Sequence, residues 1–173
     1  MNWNGLSRLL CLLWFAAAGV VQANTDDDEM PRGWREQEMV LPPAAKDAAW
    51  QPFYVSAATE NRFFIDRDSL SVGEDGVVRY VLKVETPEGA RNVTFEGMRC
   101  ETRELRVYAI GRRDGSWVNS RNKAWERIRD AVSNRHHAAL FLDYFCPGGV
   151  IVRTAQEAND ALRRGGHPSN QRW

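Results

Sequence analysis

The sequence predicts an α+β domain: an antiparallel β-meander of about five to six strands, a disulfide-tethered helix packed on one face, and a second short C-terminal helix. Three observations lead there. In the stretch 77–86, Val78, Tyr80, Leu82 and Val84 alternate with Arg79, Lys83 and Glu85, the period of a strand with one buried and one wet face. Short turn signals at Gly73-Glu74-Asp75-Gly76, Pro87-Glu88-Gly89 and Arg113-Asp114-Gly115-Ser116 separate successive apolar runs, and such short connections force antiparallel neighbours. Beyond Asn134 the apolar spacing changes to His137, Leu140, Phe141 and Tyr144, the i, i+3, i+4, i+7 stripe of a helix.

In chain order, residues 1–23 read as a cleaved signal peptide. Arg8 opens them, an apolar run extends from Leu9 to Val21, and Val21-Gln22-Ala23 is a small-residue exit. That run falls short of the roughly 20 residues needed to span a bilayer, and an acidic flank, Asp26-Asp27-Asp28-Glu29, follows it. Cys11 leaves with the signal. Residues 24–49 carry Pro31, Pro42 and Pro43 and no sustained period, so they read as a flexible acidic lead-in, with Trp34, Val40 and Leu41 able to dock.

The sheet domain is placed at 50–152. Phe53-Tyr54-Val55-Ser56, the segment 62–66 and Ser69-Leu70-Ser71-Val72 are aromatic and β-branched, as strands are. The strand 77–86 follows. In 91–100 the apolar parity changes from Val93 and Phe95 to Met98 and Cys100, which a bulge at Gly97 would reconcile. Leu105, Val107 and Ala109 make the next strand. Ser133 or Asn134 caps the first helix, Pro147 and Gly148-Gly149 stop it, and Val150-Ile151-Val152 offers a short edge strand. In 153–173, Thr154-Ala155-Gln156-Glu157 is a capping box for a helix running to Arg164 and ending at Gly165, followed by a tail.

Without the signal the chain carries 22 Lys plus Arg against 23 Asp plus Glu, which excludes a dedicated nucleic-acid binder. The charge is unevenly spread: residues 24–75 hold 12 acidic and 5 basic side chains, residues 99–135 hold 10 basic and 5 acidic. Arg99, Arg103, Arg106, Arg112, Arg113 and Arg121 are accordingly candidates for a basic contact surface facing an acidic partner or anionic head groups.

Two cysteines remain after cleavage. In an exported chain an even, small count reads as a structural disulfide, Cys100 to Cys146, and closing that loop contributes roughly 4 kcal/mol in the chain-entropy account. Their spacing fits neither a C-x-x-C redox motif nor a zinc site.

Candidate chemistry is sparse. His136 and His137 are the histidines within the predicted fold. Neighbouring helix positions point about 100° apart, so the pair is poorly placed to share a metal, and His137 reads as a packed residue with a hydrogen-bond partner. No G-x-S-x-G elbow or H-E-x-x-H run occurs. Asp66 and Asp68 read as turn residues bonding backbone rather than as an acid–base pair.

The segments Phe64-Ile65-Asp66, Asp75-Gly76-Val77-Val78-Arg79-Tyr80, Glu96-Gly97-Met98-Arg99-Cys100, His137-Ala138-Ala139-Leu140 and Asp143-Tyr144-Phe145-Cys146-Pro147 resemble the cryptic neisserial protein family of Gram-negative bacteria over nearly all of residues 50–155. That resemblance implies an uncharacterised envelope family and no particular reaction. More loosely, the order of strands, cysteine, tryptophan, helix and second cysteine is similar to the surface adhesin protein E type domain, which implies an antiparallel sheet with a helix tied to its concave face. The chain departs from that type in its extension beyond Pro147 and in lacking a lipid-acceptor cysteine.

The expectation is an exported envelope protein, periplasmic or associated with the outer membrane, that is non-enzymatic, needs no cofactor and binds another envelope or surface protein. The alternative is a periplasmic small-ligand binder, for haem or a metal, at a helix–sheet pocket near His136 or His137.

Overall fold

The computed structural model describes residues 33–44, 49–131 and 134–170, so the signal peptide read in 1–23 lies outside the described residues, as does Ser133. Arg35–Trp173 form one compact unit. Seven antiparallel strands make one sheet: β1 (Trp50–Phe53), β2 (Arg62–Val72), β3 (Val77–Glu85), β4 (Arg91–Arg99), β5 (Glu104–Gly111), β6 (Trp117–Asn119) and β7 (Glu126–Arg127). They pair in sequence order from β1 to β6, with β7 also on β5. The meander is therefore present, slightly larger than expected because two very short strands share the outer edge of β5.

The pleat sends alternate residues to opposite faces, and both faces are apolar. One cluster unites Phe63, Ile65, Val78, Tyr80, Leu82 and Met98 with Leu140, Phe141, Tyr144 and Phe145; Val81, Phe95, Tyr108 and Ala109 form a second. β3 consequently has no wet face. Arg79 and Glu85, expected in water, are 6% and 5% exposed.

This double burial also removes the need for a bulge at Gly97. β3 and β4 pair without interruption from Val77↔Arg99 to Glu85↔Arg91, and Val93 and Met98 simply belong to different apolar faces. The irregularity lies in β5, where Phe95 pairs with Ala109 and Glu96 with Val107, leaving Tyr108 as the extra residue. Gly97 has a different reason to be glycine: a Cβ there would stand 2.4 Å from the Tyr108 hydroxyl oxygen. A second irregularity, between Asp66 and Ser71, joins the two segments read separately into one strand, β2. Asp66 Oδ1 accepts the Asp68 N–H at 3.1 Å, and Ser69 Oγ donates to the Asp66 carbonyl while accepting the Val81 N–H at 2.8 Å. The Asp66 carboxylate thus bonds backbone, as expected.

The expected helix starts as α1 (Arg135–Ala139) and widens into a π-helical turn, Leu140–Phe145. The Cys146 N–H reaches back five residues to the Phe141 carbonyl, and the wider turn brings Phe145 into the buried stripe beside Tyr80, with ring centroids 5.2 Å apart. Tyr144 Oη donates to the Tyr54 carbonyl and accepts its N–H. Asn134 stands at the N-cap without a side-chain cap bond. The disulfide between Cys100 and Cys146 is formed, with the Cα atoms 5.5 Å apart.

Val150-Ile151-Val152 makes no strand. Val150 is exposed, and the Val152 N–H is taken by the Phe145 carbonyl, which fixes the segment beneath the helix end instead of at a sheet edge. α2 (Ala155–Arg164) has the bounds its capping box announced: Thr154 accepts the Glu157 N–H, Glu157 reaches back to the Arg153 N–H, and Gly165 closes the end at φ 75°. Of the tail, residues 167–170 are tied to the domain, since His167 Nε2 bonds Glu157 Oε1 at 3.0 Å and Asn170 Nδ2 donates to the Leu142 carbonyl.

Of the segment read as a flexible lead-in, residues 35–44 carry no regular secondary structure yet are anchored. Glu36 accepts from Arg106 and from Tyr108 Oη, the Gln37 N–H bonds Asp75, and the Pro42 carbonyl accepts from Trp117 Nε1 at 2.7 Å. Val40 and Leu41, the apolar docking candidates, are exposed.

Replacing either Cys100 or Cys146 by Ala is expected to lower stability equally, by about 2–5 kcal/mol. Thermal melting checks this; unequal shifts, or none, would contradict a bond that staples the helix end to the β4 end.

Candidate functional site

The alternation within β4 that sends Val93 and Phe95 to one face sends Thr94, Glu96 and Met98 to the other. Glu96 therefore points inward and is 2% exposed, a carboxylate out of water that needs partners. It has two. Thr94 Oγ1 donates to Oε1 at 2.6 Å, and His137 Nε2 lies 3.0 Å from Oε2. Burial opposes ionisation of Glu96, but the His137 charge and both hydrogen bonds outweigh it and hold the carboxyl below its ordinary value. The fully buried Tyr80 phenol is pushed well up, first by burial and then by Glu96, so it stays neutral.

His137 thus has the hydrogen-bonded, packed role expected of it, whereas His136 does not sit at the surface. Its ring stacks on Phe63 with centroids 5.2 Å apart and lies 4.0 Å from the His137 ring. Burial, then the neighbouring His137, bring His136 down to about 4, so its imidazole is neutral at ordinary pH. Among the described residues no three His, Cys, Asp or Glu side chains cluster as metal ligands.

These groups wall one end of a cleft of about 590 Å³. Phe63, Leu82, Val84 and Val107 give it an apolar floor; Asn61, Asn92 and Thr94 add hydrogen-bonding groups, and Arg91 and Arg135 stand at the rim. With both Glu96 oxygens engaged and the cysteines oxidised, the cleft offers contact surfaces and a neutral imidazole rather than a poised base or thiolate.

The six arginines singled out in the sequence do not share one surface. Arg99 is 2% exposed and bonds Glu104 at 3.3 Å. Arg103 adopts φ 55° in the β4–β5 turn and lays its guanidinium over Phe141. Arg106 is engaged by Glu36. Arg112, Arg113 and Arg121 are the exposed ones, the first two in the β5–β6 turn. Strand parity turns Arg99 inward, the segment 35–44 meets Arg106, and Arg103 packs on the helix at Phe141.

Sequence reading passed over Glu96, Glu36 and Lys83. An acidic residue between Thr94 and Met98 on an inward parity was the available signal for Glu96, with a histidine in an apolar stripe as its complement. It also passed over the S-x-x-K spacing of Ser120 and Lys123. In the structure Ser120 Oγ donates to the Asn122 carbonyl in an exposed loop, which is no nucleophile's setting.

The sequence model of the CNP1-like family matches residues 29–163, from ahead of the anchored segment to the last turn of α2. The chain belongs to the CNP1-like family. Cryptic neisserial protein 1 of Neisseria gonorrhoeae is 28% identical over 146 residues, which cover 75% of this chain and 72% of that protein. No solved structure matches. The CNP1-like region thus includes Glu36, the Glu96–His137 pair, both cysteines and both walls of the cleft.

A pH dependence follows. Because the folded His136 value is depressed from 6.5 to about 4, the unfolded chain binds more protons in that window; its contribution is complete above pH 6.5 and lost as pH falls through 4, about 3 kcal/mol in all. Glu96, also depressed, loses its contribution in the same acid direction. His136→Phe, which keeps the stack on Phe63, is expected to flatten the fall in melting temperature between pH 7 and pH 4.5. An unchanged slope would refute the assignment.

Proposed function

We propose that this CNP1-like chain is an exported, non-enzymatic binding domain of the cell envelope, in the periplasm or peripheral to the outer membrane, and that it engages another envelope or surface protein. In this reading the π-ended helix is a lid on one face of the sheet, and the partner meets the part of that face the lid leaves open. The observation that carries it is the cleft itself: an apolar floor ringed by Asn61, Asn92, Arg91 and Arg135, in which the ionised carboxylate is already consumed by His137 and Thr94. The two cysteines beyond residue 23, the bond they form and the signal-like residues 1–23 support export. The charge balance argues against nucleic acid as partner, and no helix among the described residues is long and apolar enough to cross a membrane.

A photocrosslinker placed at Asn92, in the cleft, is expected to trap a discrete envelope protein in intact cells, while the same group at exposed Glu74 traps none. Equal labelling from both positions, or recovery of the protein in the cytoplasm with free thiols, would count against the reading.

A second reading, a small-ligand binder, is favoured by the partly buried His136, whose neutral imidazole is available to a haem iron within an apolar cleft. Haem titration should then give a shifted Soret band that His136→Phe abolishes; an unchanged spectrum in the native protein removes this reading.

A further inference from the structure

The face of the sheet opposite His136 is divided in two. Over one half the chain lays its own carboxylate: Glu36 meets Arg106, Tyr108 Oη and, at 3.9 Å, Arg79. The other half has no such cover from the described residues. There the cross-strand row Arg62↔Glu85↔Arg91 lies beside the row Phe64↔Lys83↔Val93. Glu85 is bonded by Arg62 at 2.8 Å and Arg91 at 3.0 Å, with Lys83 at 3.4 Å, so one buried carboxylate serves three cations. Arg112 and Arg113 enter from the β5–β6 turn, where the nearby Asp114 carboxylate is spent on the Ser116 N–H and hydroxyl. Among the described residues, cations exceed carboxylates here by five to two, although the whole chain is neutral.

Of these groups, Lys83, Arg91, Arg112, Arg113 and Asp114 line an open cleft of about 790 Å³ together with Trp50, Val81, Val93 and Trp117. The Trp117 N–H is already satisfied by Pro42, which leaves the indole as an apolar wall, and Lys83 Nζ sits 4.4 Å from the Trp50 ring and 4.3 Å from that of Phe64. Flat apolar walls under a rim of guanidinium forks suit a ligand that has a ring face and an oxyanion at its edge. Val81 and Val93 lie in the interior of the paired sheet, and Trp50 and Trp117 stand on its two edge strands, β1 and β6.

We propose that this cleft binds an acidic saccharide, its ring against the Trp50–Trp117 floor and its carboxylate or phosphate held by Arg91, Arg112 and Arg113. The site is on the other face from the cleft assigned above to a protein partner, and stands whether or not that assignment does.

Calorimetry with the full chain tests it, using a galacturonate trimer, glucose 6-phosphate, a neutral galactose trimer and a glutamate-rich peptide of matched charge. One or both acidic sugars are expected to bind, and which of them does separates carboxylate from phosphate; the neutral trimer is not. The double variant Arg112→Glu, Arg113→Glu, both in an exposed turn, should weaken binding roughly tenfold or more with its melting temperature unchanged, and added salt should weaken it further. Arg121→Glu, outside the cleft, should bind as the native chain does. Absence of binding by either acidic sugar, equal affinity in the double variant, or a peptide bound as tightly as the sugars would each overturn the proposal.

Discussion

Burial of both faces of β3 is the constraint on which the rest of this fold depends. A strand covered on one side can keep its charges in water; this one cannot, so Arg79, Lys83 and Glu85 each needed partners within the protein. Arg79 is held by Asp75, whose carboxyl stays below its ordinary value because the bonds from Arg79 and the Gln37 backbone outweigh the opposing effect of burial. Leaving any of these charges alone would cost several kcal/mol, more than the net value of the pair. The second cover, residues 35–44, is therefore bound by polar contacts to Arg79, Arg106 and Tyr108 as well as by Met39, which packs on the apolar cluster beneath.

Much of this was legible in the residues because local chemistry decides it. The glycine turns at 73–76 and 87–89, the alternation in 77–86 and the Thr154–Glu157 cap act over a few positions and survive in the fold. What escaped was decided at long range. The stretch 35–44 has no period because it follows no regular element, and its partners lie about 70 residues away. Likewise, a doubly covered sheet shows apolar residues at both parities, which in the stretch 91–100 mimicked a bulge. The π-turn at Leu140–Phe145 left the four-residue stripe intact and simply added Phe145, a change no spacing rule distinguishes from a longer helix. The candidate clefts were the least legible of all, since Arg91, Lys83 and Trp117 acquire a common role only through strand register.

The disulfide and the two candidate clefts lie toward opposite ends of the sheet. The disulfide joins the helix end to the β4 end near Arg99, whereas both clefts reach the β3–β4 turn, the second also the β5–β6 turn, with Arg91 lining each. Side chains on well-paired strands are held more firmly than those on long loops, and here the floor of each cleft is sheet while the rim is turn. Turn residues such as Arg112 and Arg113 can consequently vary without disturbing the core that positions them.

The carboxylate of Glu36 also fixes an order of assembly. Its partners Arg79, Tyr108 and Arg106 lie on strands made long after it, and Tyr108 is in place only once β5 has paired with β4 and its ring has settled over Gly97. The part of the domain synthesised first therefore cannot make these bonds until the strands that carry its partners have been made.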